Sequence, residues 1–116
     1  MSARFIHDGD VIDHTPVSTI ASGSVVVLND LVGIANFALP AARTGGLRVA
    51  GVFDLPKKAE AFTVGVKAYW DADGDPVGGV AGSGALTATA TDNTYVGKVT
   101  VDAASGDALA RTRLEQ

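Results

Sequence analysis

Short strand-like runs, separated by turn-forming residues, set the strongest constraint on how this chain folds. From Val66 to Asp71 the apolar residues Val66, Ala68 and Trp70 alternate with more polar ones, which is the period of a half-buried β-strand. Other strand-like runs occupy residues 17–20, 25–28, 31–39, 47–53, 86–91, 94–101 and 108–114. Strands at this spacing, with no helical stretch between them, predict an all-β fold that is either a small β-barrel or a sandwich.

Length and composition are consistent with one small domain. The chain has 116 residues and no cysteine, and a chain of this size buries enough surface to fold without disulfides or a structural metal. We therefore expect a single domain over residues 1–116. Residues 1–16 contain polar stretches and two turn signals, which predict an extended N-terminal arm or a first edge strand. The glycine-rich residues 72–84 predict a flexible loop or an irregular sheet edge.

The charge distribution argues against two classes of partner. The formal net charge is −4 and no basic run is present, so we expect no nucleic-acid partner, because phosphate binding needs clustered lysine and arginine. No apolar segment approaches the ~20 residues that span a bilayer, so no membrane partner is expected. The first residues lack the apolar segment of a signal peptide, which predicts synthesis in the cytoplasm.

Asp71, Asp73 and Asp75 are the best metal-binding candidates. Three carboxylates at alternate positions can converge on a hard cation such as calcium. An EF-hand loop, however, would need glycine where Pro76 stands and glutamate where Gly82 stands. The favoured interpretation is a solvated acidic turn with no cofactor, and the alternative is a calcium- or carbohydrate-binding β module that uses these three residues.

Catalytic motifs find no support in the sequence. His14 beside Asp13 is the only pairing that suggests a small hydrolase, and no serine lies in the G-x-S-x-G pattern of a nucleophile elbow. Gly97-Lys98 lies within a predicted strand, so the strand–loop–helix context of a phosphate-binding loop is missing. We therefore predict no catalytic residues and expect a binding or assembly module rather than an enzyme.

Several motifs in fixed order resemble a known protein family. They are Phe5-Ile6 with Gly9-Asp-Val11, Leu31-Val-Gly-Ile-Ala35, Gly51-Val-Phe-Asp-Leu-Pro-Lys57, Val66-Lys-Ala-Tyr-Trp-Asp71, Tyr95-Val-Gly97 and the closing Ala104-Ser-Gly-Asp107 with Arg111-Thr-Arg-Leu114. Together they resemble the capsid cement, or head decoration, proteins of tailed phages and prophages. This family was long catalogued as a domain of unknown function, and some members were mislabelled as recombinases.

The resemblance implies a structural protein on the virion. A β-rich homotrimer would bind the outer surface of the assembled capsid, made of the major capsid protein, and stabilise the shell. The family offers no motif that marks individual contacts, so our own inference is that the N-terminal arm touches the shell by strand addition. The predicted contact residues are Arg4, Phe5, Ile6, His7, Val11 and Ile12.

Overall fold

The structure, a computed structural model, describes residues 2–116 and contains only β-strands and connecting segments in that range. The strands are β1 (Val11–His14), β2 (Val25–Leu28), β3 (Leu31–Ile34), β4 (Gly45–Arg48), β5 (Gly51–Pro56), β6 (Lys67–Asp71), β7 (Ala85–Thr87), β8 (Thr94–Val99) and β9 (Leu109–Leu114). The prediction of an all-β fold is confirmed.

The strands form two separate sheets. One has four strands in the order β1-β4-β3-β2, and the other has five strands in the order β5-β9-β8-β6-β7. Each sheet therefore begins and ends on an edge strand, and neither closes into a barrel. Of the two predicted architectures, the barrel is wrong. Three of the four edge strands, β1, β2 and β7, have only three or four residues, as is usual where unpaired backbone groups would otherwise attract other chains.

The chain divides into two compact units. The first comprises the described residues up to Val26 together with Gly33–Ala50, and the second comprises Val27–Val32 and Gly51–Gln116. The prediction of a single domain over residues 1–116 stays a prediction. The predicted strand over residues 47–53 is interrupted, because β4 ends at Arg48 and β5 starts at Gly51, where a φ of 123° suits glycine alone.

The first unit is small, and its core lies on β3 and β4. Its buried apolar residues are Ile34, Ala35, Leu39 and Leu47. β1 pairs antiparallel with β4, from Val11 opposite Arg48 to His14 opposite Gly45. Gly45 and Gly46, a pair of residues that is common in turns, both belong to β4. They are needed there because a Cβ at Gly45 would overlap the side chain of Leu39.

The second unit holds most of the core. Its buried apolar residues are Val32, Leu55, Phe62, Ala68, Trp70, Ala85, Leu86, Val96, Val99, Ala103, Ala110 and Leu114. The predicted faces of β6 are confirmed, because Ala68 and Trp70 are buried while Lys67 is exposed. The alternation in β9 is also confirmed, with Arg111 and Arg113 exposed between buried neighbours.

The glycine-rich segment after β6 packs against Trp70 at its end. Gly84 has a φ of 107°, and a Cβ there would lie 2.6 Å from Cζ2 of Trp70. The amide of Gly84 donates a hydrogen bond to the carbonyl oxygen of Gly74 over 3.0 Å, which closes the segment on itself. The predicted flexibility of residues 72–84 stays a prediction. Strand β7 is shorter than the predicted run 86–91. Its Thr87 is buried, and the hydroxyl is satisfied by donating to the Glu60 carboxylate over 2.6 Å.

Candidate interaction surfaces

The N-terminal arm is exposed and carries large apolar side chains. Residues 2–10 lie outside every strand, and Phe5 and Ile6 expose 78% and 71% of their surface. Arg4 and His7 beside them are also exposed. Adjacent exposed apolar side chains of this size are typical of a surface that a partner covers.

Val11 and Ile12, the other two predicted contact residues, lie in a strand. Both are half-buried in β1, where Val11 is opposite Arg48 and Ile12 is opposite Leu47. β1 is an edge of the four-stranded sheet, so the strand that follows the arm has one side without a strand partner. That arrangement is what strand addition requires.

An apolar groove lies beside this edge strand within the same unit. It has a volume of about 470 Å³ and is lined by Val11, Asn36, Phe37, Leu39, Gly45, Gly46 and Arg48. Phe37 on its rim is 79% exposed. Gly46 keeps the groove open, because a Cβ there would lie 2.8 Å from Cγ1 of Val11. The groove was not predicted from the sequence, in which its one signal is Phe37 after the polar Asn36 near the end of an apolar run.

The acidic turn does not gather its three carboxylates. The carboxylate of Asp71 pairs with the Lys58 ammonium over 2.6 Å and also accepts the amide of Asp73 over 3.1 Å. The carboxylate of Asp75 accepts the amide of Gly82 over 2.7 Å. Among residues 2–116 no three His, Cys, Asp or Glu side chains are grouped to hold a metal ion.

The Lys58–Asp71 pair also fixes the charge of both groups. The hydrogen bond from Lys58, helped by the amide of Asp73, lowers the pKa of the Asp71 carboxyl. The same bond raises the pKa of Lys58. Asp71 therefore has its negative charge compensated within the fold, and a metal at this turn stays a prediction that a calcium titration can test.

The pairing of His14 with Asp13 finds no support in the geometry. The two residues are adjacent in β1, where successive side chains point to opposite faces. The half-buried His14 and the exposed Asp13 therefore do not form a catalytic pair.

Residues 2–116 contain no helix whose length and apolar character would let it cross a membrane.

Lys57 is an unexpected buried cation in the second unit. Its side chain has no exposed surface, and its ammonium donates to the carbonyl oxygens of Lys58 over 3.0 Å and Ser105 over 3.3 Å. The same nitrogen lies 5.8 Å from the ring centroid of Phe62. Burial lowers the pKa of this amine, and the charges of Asp107 and Glu60 oppose that effect. These contacts link the end of β5 to the turn before β9.

The family to which the chain belongs is known from its match to a family model. A family model described as phage cement protein matches residues 6–114. The chain belongs to the phage cement protein family. No curated protein and no solved structure matches the chain.

Membership of the cement family gives the protein a structural role. Such a protein binds a phage capsid and is located on the virion, and the family is of a non-enzymatic kind. The matched range includes the predicted contact residues Ile6, His7, Val11 and Ile12 and starts after Arg4 and Phe5. The resemblance drawn from the sequence motifs is thereby confirmed.

Proposed function

We propose that this protein decorates the outer surface of an assembled tailed-phage head and stabilises the shell. It binds the major capsid protein as a homotrimer, after synthesis in the host cytoplasm. The observation that carries this proposal is the concentration of exposed apolar side chains in the first unit, where Phe5, Ile6 and Phe37 are all more than 70% exposed. Apolar surface of this kind gains most from burial against a partner.

The arm and the apolar groove together form the contact region of this proposal. The arm continues directly into β1, and Val11 of β1 lines the groove. An extended segment of a shell subunit that pairs with β1 would place its side chains beside Phe37. Main-chain hydrogen bonds would then supply affinity, and the groove would supply specificity.

Stabilisation of the shell follows from mass action. A protein that binds the assembled lattice and not its dissociated subunits shifts the equilibrium toward the lattice. Three-fold symmetry would convert one modest contact into three simultaneous ones, so that weak sites bind tightly together.

Co-sedimentation with expanded heads tests the proposal. The heads are assembled from the major capsid protein encoded in the same phage or prophage genome. We expect the wild-type protein to sediment with them and to raise their melting temperature, and the variant Ile6→Ser to bind at least about tenfold more weakly. The control is Val80→Ser, because Val80 is 75% exposed but lies in the second unit. Equal binding by both variants would contradict the role of the arm, and no binding by the wild type would contradict the proposal itself.

Light scattering on a sizing column tests the oligomeric state separately. A mass three times that of the 11.7 kDa chain supports a preformed trimer. If the chain is a monomer in solution, the number of copies bound to saturated heads decides whether it trimerises on the shell. One copy per three-fold position would contradict the trimer.

A further inference from the structure

Three cations lie side by side on one face of the five-stranded sheet. Lys67 in β6 is directly opposite Lys98 in β8, and Lys98 is directly opposite Arg113 in β9. Directly opposite residues of antiparallel strands share a face, with their Cβ atoms about 5 Å apart. These three residues, which we name the cationic row, therefore cross three adjacent strands.

The cationic row is unfavourable for the fold by itself. Like charges directly opposite each other destabilise a sheet, and only Lys98 has a nearby partner, Glu115, at 3.4 Å. Lys67 and Arg113 have no ion pair within residues 2–116, whereas Arg111 of the same strand pairs with Asp54 over 3.0 Å. Departures from local rules of this kind are expected at functional sites.

A pair of tyrosines adjoins the row. Tyr69 is opposite Tyr95, with ring centroids 5.6 Å apart and ring planes inclined by 59°. A hollow of about 390 Å³ is lined by Lys67, Tyr69, Tyr95, Lys98 and Glu115. Burial and the charge of Glu115 raise the pKa of the Tyr95 phenol. A tyrosine phenol is a hydrogen-bond donor at neutral pH.

An irregularity in β8 brings the tyrosines and the cations to the same face. Tyr95 and Lys98 are three residues apart, so in a regular strand they would point to opposite faces. The register changes there, because Ala68 is opposite Gly97 while Tyr69 is opposite Tyr95, and Val96 is the extra residue. Such bulges often redirect side chains beside functional sites.

The close approach of β8 and β9 at the row requires glycine. A Cβ at Gly97 would overlap the carbonyl oxygen of Arg113. The sheet is thus specifically shaped at the position where Lys98 and Arg113 meet, rather than carrying surface lysines on an ordinary strand.

We propose that this face binds a short acidic segment of a capsid subunit. Carboxylates of the segment contact Lys67 and Arg113, and another of its side chains lies in the hollow beside Tyr69 and Tyr95. This inference rests on the proposed function. Arginine holds carboxylates through two parallel hydrogen bonds, and tyrosine contributes binding energy at interface centres. The row is only three residues wide, and two carboxylates lie near it. Glu115 pairs with Lys98, and Asp54 is opposite Arg111, two residues before Arg113 in β9. These carboxylates would repel a long polyanion such as nucleic acid.

The double variant Lys67→Ser with Arg113→Ser removes the two unpaired cations. We expect its affinity for expanded heads to fall about tenfold, and the loss to shrink at high salt. Its melting temperature should equal or exceed that of the wild type, because the change relieves repulsion. Arg43→Ser is the control, since Arg43 is exposed in the first unit and has no ion pair within the described residues.

A peptide titration followed by NMR tests the chemistry without heads. The probe is a capped five-residue peptide that alternates glutamate and phenylalanine. We expect it to shift the amides of Tyr69, Tyr95 and Lys98 in the wild type, while the same peptide with glutamine in place of glutamate leaves them unchanged.

The two experiments separate failure of this inference from failure of the proposed function. If the wild type does not sediment with heads, both are overturned. If the wild type and the double variant bind heads equally, only this inference is overturned. It is also overturned if the acidic and glutamine peptides act alike, if a 12-base-pair duplex shifts the same amides at lower concentration, or if the double variant changes the oligomeric mass, which would assign the face to a second copy.

Discussion

The buried amine of Lys57 leads to a stability prediction that depends on pH. The side chain has no exposed surface and donates to the carbonyl oxygens of Lys58 and Ser105. Lys57→Ala removes three buried methylene groups at about 0.8 kcal/mol each. It also removes hydrogen bonds to part-buried carbonyls, which contribute about 1 kcal/mol in total. We therefore expect the free energy of unfolding to fall by about 3 kcal/mol.

Lys57→Met separates the charge from the packing, because methionine keeps most of the apolar stem. Burial lowers the pKa of the Lys57 amine from its ordinary value of 10.5. Between the lowered pKa and 10.5 the unfolded chain binds more protons than the folded protein, so wild-type stability rises with pH in that window. The size of this gain increases with the amount by which burial lowers the pKa. The methionine variant lacks this gain, so the wild type should become more stable relative to it as the pH rises toward 10.5.

Urea unfolding followed by the fluorescence of Trp70, at several pH values from neutral to 10.5, measures these differences. The control is Arg43→Met, because Arg43 is exposed, has no ion pair among the described residues and, as an arginine, keeps its charge over this pH range, and we expect a change within about 0.5 kcal/mol that does not depend on pH. A difference between wild type and Lys57→Met that stays constant across the pH range would refute the reasoning about the amine. A cost for Lys57→Ala as small as that of the control would refute the reasoning about its packing.

Three further predictions concern other features of the second unit. Gly97→Ala should lower the free energy of unfolding by more than about 3 kcal/mol in urea unfolding, because the new Cβ would overlap a carbonyl oxygen of β9. Gln116→Glu should cost about 1–2 kcal/mol at neutral pH and less near pH 4, because the amide nitrogen of Gln116 donates to the Val32 carbonyl over 2.7 Å and a carboxylate cannot. Calcium at about 5 mM should leave the melting temperature unchanged, because Lys58 already pairs with Asp71.

Each of these predictions has an outcome that would contradict it. Gly106→Ala introduces a Cβ with no atom within 4 Å and should be tolerated, so equal losses at both glycines would contradict the steric argument. For the glutamine, a loss that does not change between neutral and acidic pH would indicate that the missing donor is not the cause. A calcium-dependent rise of more than about 2 °C would instead favour the calcium-binding alternative.

The elements that the sequence predicted well have one buried face and a regular period. The alternation around Trp70 and the exposure of Arg111 and Arg113 both follow from period 2, and both are confirmed. The break between β4 and β5 was not predicted, because residues 47–53 alternate without interruption. There the conformation at Gly51 overrides the hydrophobic pattern.

The environments of single charged residues were much harder to predict. The sequence Leu55-Pro56-Lys57 suggests a charged residue at the exposed end of a strand. Its burial depends on the carbonyl of Ser105, which lies 48 residues further along the chain. The cationic row could not be predicted for the same reason, because only the register of three strands brings its members together.

The N-terminal arm lies between these two cases. The sequence predicts an arm or a first edge strand over residues 1–16, and the structure has an extended segment over residues 2–10 followed by the edge strand β1. Its role as a contact stays a prediction, because the sequence names the exposed groups and not what covers them. The groove beside β1 could not be predicted, because it depends on which side chains face Gly45 and Gly46 across strands.

The extra residue in β8 also affects how this protein can vary. A point substitution at Tyr95 or Lys98 alters one side chain, but it leaves both on the same face of the sheet. Deletion of Val96 would make the pairing with β6 regular and would keep Tyr95 opposite Tyr69, because Tyr95 and Lys98 would then be two residues apart in the strand. The register with β6, and not the number of residues in β8, thus fixes the layout of this face, so a deletion at position 96 leaves it intact.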